Sequence, residues 1–314
     1  MKTIIAARAA LAPAIVVGAL ALSGGTFAAA GSNLTAAATA ATPGGAAAMP
    51  AGRFAVIETA IYADDHPDVF ARAASVRDAL GFGKGTARKG RHVNDGLQAS
   101  SYDEVAEVDA AGRSTSLAQF DGNGRLLAAI RFDSPSKGGG AVSSDEATKA
   151  AQRGLVSAGL QPAGKARSLI NDVGGGWDVH WDRNEAGYKV RGDELSVHVW
   201  QDGRIQSVGR VEHELAAAPA RTIAHDEAQG LVTSRCKTWF QGTESGFSVQ
   251  SMDLEWVGPN AAFDSSKIDA AAEPYRLAWV ANVKPSGKAA DSLRLVTLYL
   301  DAGDGSVIGG DVVE

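Results

Sequence analysis

The 314 residues carry 30 Lys and Arg against 36 Asp and Glu, a formal charge of −6 at pH 7, and a single cysteine. That balance lacks the basic footprint of a nucleic-acid-binding chain, and one thiol builds neither an intramolecular disulfide nor a cysteine-rich zinc site. Stability must come from buried apolar surface, and a chain of this length can fill one large core or several small ones.

Residues 1–30 read as a secretory signal peptide. Lys2 and Arg8 precede an apolar stretch from Ala9 to Leu22, and small residues follow at Ala28, Ala29 and Ala30. The apolar run is shorter than the roughly 20 residues of a membrane-spanning helix. No twin arginine or cysteine accompanies it, so a lipid anchor and the folded-export route are not indicated, and no membrane span is expected after cleavage. Loss of Lys2 and Arg8 takes the formal charge from −6 to about −8. Residues 31–53 are dominated by Ala, Thr, Gly and Pro, a composition that cannot offset the entropy of ordering, and read as a disordered linker.

A first unit is expected over residues 54–133. Phe54, Val56, Ile57 and Ile61 suit a strand, and Pro67 suits the first position of a helix whose Val69, Ala73, Val76 and Leu80 share one face before Gly81 stops it. Lys84, Arg88, Lys89 and Arg91 follow in a glycine-rich stretch that reads as a solvated loop, the alternative being a site for an anion or envelope polymer. Three strands, 102–108, 114–120 and 126–132, are separated by Asp109 to Gly112 and by Asp121 to Gly124, the turn chemistry of antiparallel hairpins.

Beyond a second linker at 134–140, an internal repeat emerges. Val142-Ser143-Ser144-Asp145-Glu146-Ala147 aligns without a gap with Ile223-Ala224-His225-Asp226-Glu227-Ala228. Ser143 and Glu146 have capping-box spacing, whereas the second copy keeps only Asp226 and Glu227 near the positive end of the helix dipole. Apolar stripes follow, Ala147, Ala150, Ala151 and Leu155 in one helix and Ala228, Leu231, Val232, Cys236, Trp239 and Phe240 in the other. Cys236 lies on that stripe and is expected to be a buried thiol shielded by Leu231, Val232 and Trp239.

After each helix the period changes to two. Trp177, Val179 and Trp181 alternate with Asp178, His180 and Asp182, and Leu195, Val197 and Val199 alternate with Ser196, His198 and Trp200, before a turn at Asp202-Gly203 and a strand over 205–211. In the second copy strands are expected over 247–257, around Tyr275 to Val283, over 293–300 and over 307–313. The expected fold is α+β: tandem small units at 142–211 and 222–314, each one helix packed on an antiparallel sheet of three to four strands.

Ile223 to Ala228, and the hairpin Leu298-Tyr299-Leu300-Asp301-Ala302-Gly303-Asp304-Gly305-Ser306-Val307-Ile308, resemble the PepSY family of propeptide-like modules. Tyr275-Arg276-Leu277-Ala278-Trp279-Val280 resembles the preceding strand in the propeptides of thermolysin-type metalloproteases. The resemblance covers about 90 residues of the second copy and about 70 of the first, and scarcely touches 54–133. It implies small α+β modules acting as inhibitors, chaperones or binding domains, with no catalytic residues and no cofactor. The sequence stops at Glu314, a few residues past the last strand, so any inhibition is expected to act on a separate protein.

Enzyme motifs are incomplete. His213-Glu214 is followed by Leu215-Ala216-Ala217 and lacks a second zinc histidine, no Gly-x-Ser-x-Gly elbow occurs, and Gly81 to Thr86 lacks P-loop spacing. Asp301 and Asp304 lack the ligand spacing of a calcium loop. Asp178, His180 and Asp182 fall on one face of one strand, where they are either metal ligands or acid/base groups, or the wet face of a half-buried strand. The expected function is that of an exported, non-catalytic binding module with a protein partner, an extracellular or envelope protease being the first candidate. Trp200 is the candidate aromatic anchor, or else packs against the neighbouring unit. The alternatives are a structural or surface-interaction protein of the envelope and a metal-dependent hydrolase.

Overall fold

The computed structural model describes residues 56–95, 100–136, 140–171, 175–240, 244–260, 262–263 and 273–313. The signal peptide and linker expected over 1–53 lie outside the described residues. One strand, β1 (Val56–Ile61), precedes three successive runs of one helix and four strands. The first run is α1 (Pro67–Leu80), β2 (Ala87–Asp95), β3 (Ser100–Val108), β4 (Ser114–Asp121) and β5 (Leu126–Arg131). The second is α2 (Ser144–Ser157), β6 (Arg167–Ile170), β7 (Trp177–Glu185), β8 (Tyr188–Val199) and β9 (Ile205–Val211). The third is α3 (His225–Trp239), β10 (Ser245–Val257), β11 (Arg276–Gly287), β12 (Leu295–Asp301) and β13 (Val307–Val313).

The protein is α+β, but the expectation of tandem units with separate small sheets requires correction. All thirteen strands are hydrogen-bonded into one sheet. Each run of four is an antiparallel meander. The first two meanders join last strand to last strand, β5 pairing antiparallel with β9. The third joins by a short parallel contact, Glu255 and Trp256 of β10 against Lys189 and Val190 of β8. Sheets fuse in this way because a meander's end strands carry unpaired main-chain groups, and neighbours in one chain satisfy them at little entropic cost.

Helix α1 starts at Pro67, whose missing N–H would have been unpaired in any case, and ends at Gly81, left-handed at φ 67°. Its inward stripe is Phe70, Ala73, Val76 and Leu80, with Phe70 rather than Val69 in the buried position. Phe70 reaches the sheet because Gly90 of β2 leaves room, a Cβ there meeting the ring at 2.6 Å. The expected basic loop is instead strand β2. Its neighbours absorb the charge: Arg91 pairs with Glu104 and Glu58, and Arg88 approaches Glu107. Glu107 also holds Arg77 of α1 at 2.6 Å in a pair almost closed to solvent.

Helix α2 carries the expected capping box, with Ser143 and Glu146 satisfying each other's main-chain N–H groups. It packs on the same sheet face as α1, beside it, and the two helices share one core. Val105, Ala118 and Phe120 from the first meander, Ala147, Ala151 and Leu155 from α2, and Val179, Trp181, Val197 and Val208 from the second belong to one buried cluster. The first run and the second are therefore one packed body. Neither period nor turn chemistry announces such a joint core, because it depends on which strand edges meet.

Helix α3 covers β10, β11 and β12 with a separate core of Val232, Cys236, Ala281, Val283, Val296, Leu298 and Leu300. It has no side-chain cap at Ala224, as expected. Leu231, expected on the buried stripe, is 37% exposed. Two positions aligned in the repeat do the same work. Val142 receives the Trp177 indole N–H on its carbonyl and donates its own N–H to Gln201, while Ile223 receives the Trp279 indole and donates to Ala302.

Candidate interaction surface

The strand singled out in sequence, β7, puts Val179 and Trp181 into the core under α2 and leaves Asp178, His180 and Asp182 on the opposite face. They are not brought together on a common point. Asp178 holds Nδ1 of His198 at 2.6 Å and the Asn171 amide at 2.8 Å. His180 faces Glu194 at 3.1 Å, and Asp182 faces Lys189 at 3.3 Å and Arg167 at 3.4 Å. Burial alone would raise the Asp178 carboxyl, but the hydrogen bond and charge of His198 outweigh it and hold the group below its ordinary range. No group of three or more His, Cys, Asp or Glu side chains is placed to hold a metal among the described residues. The face is a set of cross-strand pairs, the sheet counterpart of salt-bridged helix faces.

His198 was not singled out in sequence. It is 8% exposed, and its Nε2 is buried without a hydrogen-bond partner, an arrangement that costs about 1–3 kcal/mol relative to a satisfied nitrogen.

Trp200 is 3% exposed, with the guanidinium groups of Arg131 and Arg204 over its ring at 5.3 and 5.1 Å. Arg204 in turn is held by Asp202 and Asp133. The ring is thus committed to cation–π contacts within the chain and offers little surface to an incoming partner.

A junction with no signature along the chain joins the second and third runs. Asp193 of β8, its side chain closed to solvent, accepts hydrogen bonds from Nδ1 of His213 at 2.5 Å, from the His213 main chain at 2.8 Å and from Arg183 at 3.0 Å. The His213 ring stacks on Tyr275 at 4.2 Å. Burial, reinforced by the Asp193 charge, pushes the Tyr275 hydroxyl up to about 12. Val190, Trp256, Leu277 and Ala302 pack beneath this junction. Asp193 lies 20 positions from His213 and more than 80 from Tyr275, so no spacing rule detects the junction.

Cys236 is fully buried, and burial raises its thiol to about 11. Trp239 borders its core as expected, whereas Leu231 is partly exposed and lies against the turn at Gly305. The folded chain is expected to react with thiol reagents only after denaturation; fast native labelling would overturn the assignment. The sign of the linkage follows from the raised value. The stabilising share of the buried thiol is fully present below the unfolded value of 9.0 and is lost as pH rises through about 11. Native chain compared with Cys236→Ala in denaturant titrations should therefore show a stability difference that shrinks from pH 9 to 11, and a constant difference would refute it.

The outer edges of the sheet differ in how they end. At one end β1 covers β2 from Val56 opposite Asp95 to Ile61 opposite Gly90 and is itself the outermost described strand, with Val56 and Ile57 exposed. The edge of β13 is closed by Asn260, whose main-chain N–H donates to Ile308 and whose amide bonds both the N–H and the carbonyl of Gly310. Phe263 stacks on Trp239 beside it at 4.7 Å. Among the described residues β6 pairs with β7 alone, and its Leu169 and Ile170 are 50% and 66% exposed. No helix among the described residues is long and apolar enough to cross a membrane.

No family model matches the chain, and no curated protein matches it. Among solved structures, the C-terminal domain of Bacillus megaterium YpeB is similar over 81% of this chain and 99% of that domain, at 12% identity and a TM-score of 0.42. At that level of similarity, nothing about that domain's activity or partners is carried over to this chain.

Proposed function

We propose that the chain is an exported, non-catalytic protein-binding module built from PepSY-like units, and that it acts by non-covalent capture of a partner polypeptide. The observation that carries the proposal is β6, a strand that among the described residues pairs on one side and carries two exposed branched side chains. Edge strands of this kind recognise extended segments through main-chain hydrogen bonds and need no catalytic group. The matching indole-to-carbonyl bonds at Val142 and Ile223 support a common origin for the second and third runs. An extracellular or envelope protease is the first candidate partner, on the resemblance of Tyr275 to Val280 and Leu298 to Ile308 to protease propeptides. Trp200 takes no part in the proposed contact, since its ring is already occupied.

The test is to titrate the purified chain against metalloproteases and other proteins of its native secreted fraction, scoring saturable binding and inhibition. Saturable binding without turnover is expected. Turnover of an ester, peptide or glycan by the purified chain, with no saturable binding to any protein, would overturn the proposal.

A further inference from the structure

We infer that the outer edge of β6 is a β-augmentation site for an extended, branched-apolar segment of a partner protein that carries a carboxylate, docked antiparallel to Arg167–Ile170. The inference rests on the binding-module proposal and assigns its surface and the chemistry of its ligand.

The pairing of β5 with β9 places the first two meanders back to back. One register row therefore runs across the helix-covered face through Gly90, Val105, Ala118, Ala129, Val208, Val197, Val179 and Ser168. Gly90 of β2 and Ser168 of β6 occupy equivalent outer positions in it. Beyond Gly90 the row is completed by Ile61 of β1, which is 7% exposed. Beyond Ser168, no described strand follows. The chain thus displays at one end of the pseudo-symmetric sheet the kind of segment that the other end lacks.

The main chain of β6 is oriented for such a segment. Asn171 donates its N–H to Gly176, in the same register as the β6–β7 ladder. Alternation along an antiparallel pair then directs the N–H and carbonyl groups of Leu169 and Arg167 to β7 and those of Ser168 and Ile170 outward. Two residues thereby offer four main-chain groups to an incoming strand. Leu169 and Ile170 flank them on opposite faces, so an incoming strand covers apolar area on both sides of the sheet.

The chemistry of the occupant follows from β1 and from charge. Its sequence is Val-Ile-Glu-Thr-Ala-Ile, branched and apolar around one carboxylate, and Glu58 reaches Arg91 of the strand it covers at 2.8 Å. At the start of β6, Lys165 and Arg167 are exposed, and the contacts of Arg167 to Asp182 and Glu194 are long, 3.4 and 3.7 Å. Solvated pairs of that length are worth little, which leaves the guanidinium open to a partner carboxylate.

The probe is a labelled peptide with the sequence of residues 56–62, titrated into the full chain and followed by fluorescence anisotropy. Two variants remove the site without touching a buried residue: Ile170→Pro deletes an outward N–H at an edge position where proline is tolerated, and Leu169→Lys replaces an exposed apolar contact. Saturable binding is expected, weakened roughly tenfold or more by each variant, as loss of one hydrogen bond or one apolar contact implies. A peptide with Thr59→Pro should bind no better than background.

Equal binding to the native chain and both variants would overturn the inference, as would absence of binding at millimolar peptide. Self-association of the native chain that Ile170→Pro abolishes would also overturn it, by making a second copy the occupant. A protein partner captured equally by native chain and Ile170→Pro would remove β6 while leaving the binding-module proposal standing.

Discussion

Replacing Asp193 with alanine is expected to destabilise the chain by about 1–3 kcal/mol, because it takes the acceptor from the His213 main-chain N–H, the His213 ring and the partly exposed Arg183 guanidinium. Three donors converge on this carboxylate, two from His213 and one from Arg183, and its side chain is closed to solvent. Asp193→Asn keeps the volume but turns an amide N–H2 towards a donor, and should recover only part of the loss. Because His213 carries the stack on Tyr275, the junction with the third run should loosen first. Denaturant titration gives the stability change, and hydrogen exchange at β10 and β11 locates it. A change below about 1 kcal/mol would mean that the carboxylate is replaceable by water and that the junction is held by the apolar cluster alone.

Leu155→Ala is expected to cost about 3 kcal/mol, within the range for a fully buried leucine whose surroundings cannot close the cavity. The site has little freedom to collapse, since Gly154 beside it already brings α2 against Ile205, a Cβ there meeting that side chain at 2.2 Å. Leu155 lies in the core shared by α1 and α2. The amides of β3 and β4 should therefore lose protection together with those of β7 to β9, although the substitution is in the second run. Unchanged protection in β3 and β4 would show that the first run folds independently.

The shared core also explains the sharpest difference between expectation and structure. Helix α2 and the strands after it were legible as a unit because capping and period are local. Ser143 and Glu146 sit three residues apart, and Trp177, Val179 and Trp181 alternate with polar residues along one strand. Nothing in residues 142–211 says that the far edge of this unit pairs with β5 rather than with solvent. An edge strand's partner is chosen by main-chain hydrogen bonding, which every residue except proline offers alike. The same limit hid strands β2 and β6. Arg88 to Arg91 have the composition of a solvated turn, and only pairing with Glu58, Glu104 and Glu107 from neighbouring strands makes them a strand. Four residues from Arg167 to Ile170 are too few to show a period.

At the candidate site the division is similar. Alternation by itself placed Asp178, His180 and Asp182 on one polar face, and the helical stripe by itself placed Cys236 inside. The opposite outcomes for Leu231 and Trp200 came from tertiary contacts. Leu231 lies at the rim of the α3 stripe and remains partly exposed, while Trp200 is covered by arginines from β5 and from its own hairpin. The Asp193 junction, the Asn260 contacts to β13 and the one-sided pairing of β6 among the described residues depend on which residues distant in the chain come together. Sequence determined the three helices, the hairpin turns and the faces of most strands, because those follow from local sterics and periodic burial. Which edges join, which charges are buried together and which edge is left open were decided only by the tertiary structure, where long-range packing selects among pairings that are locally equivalent.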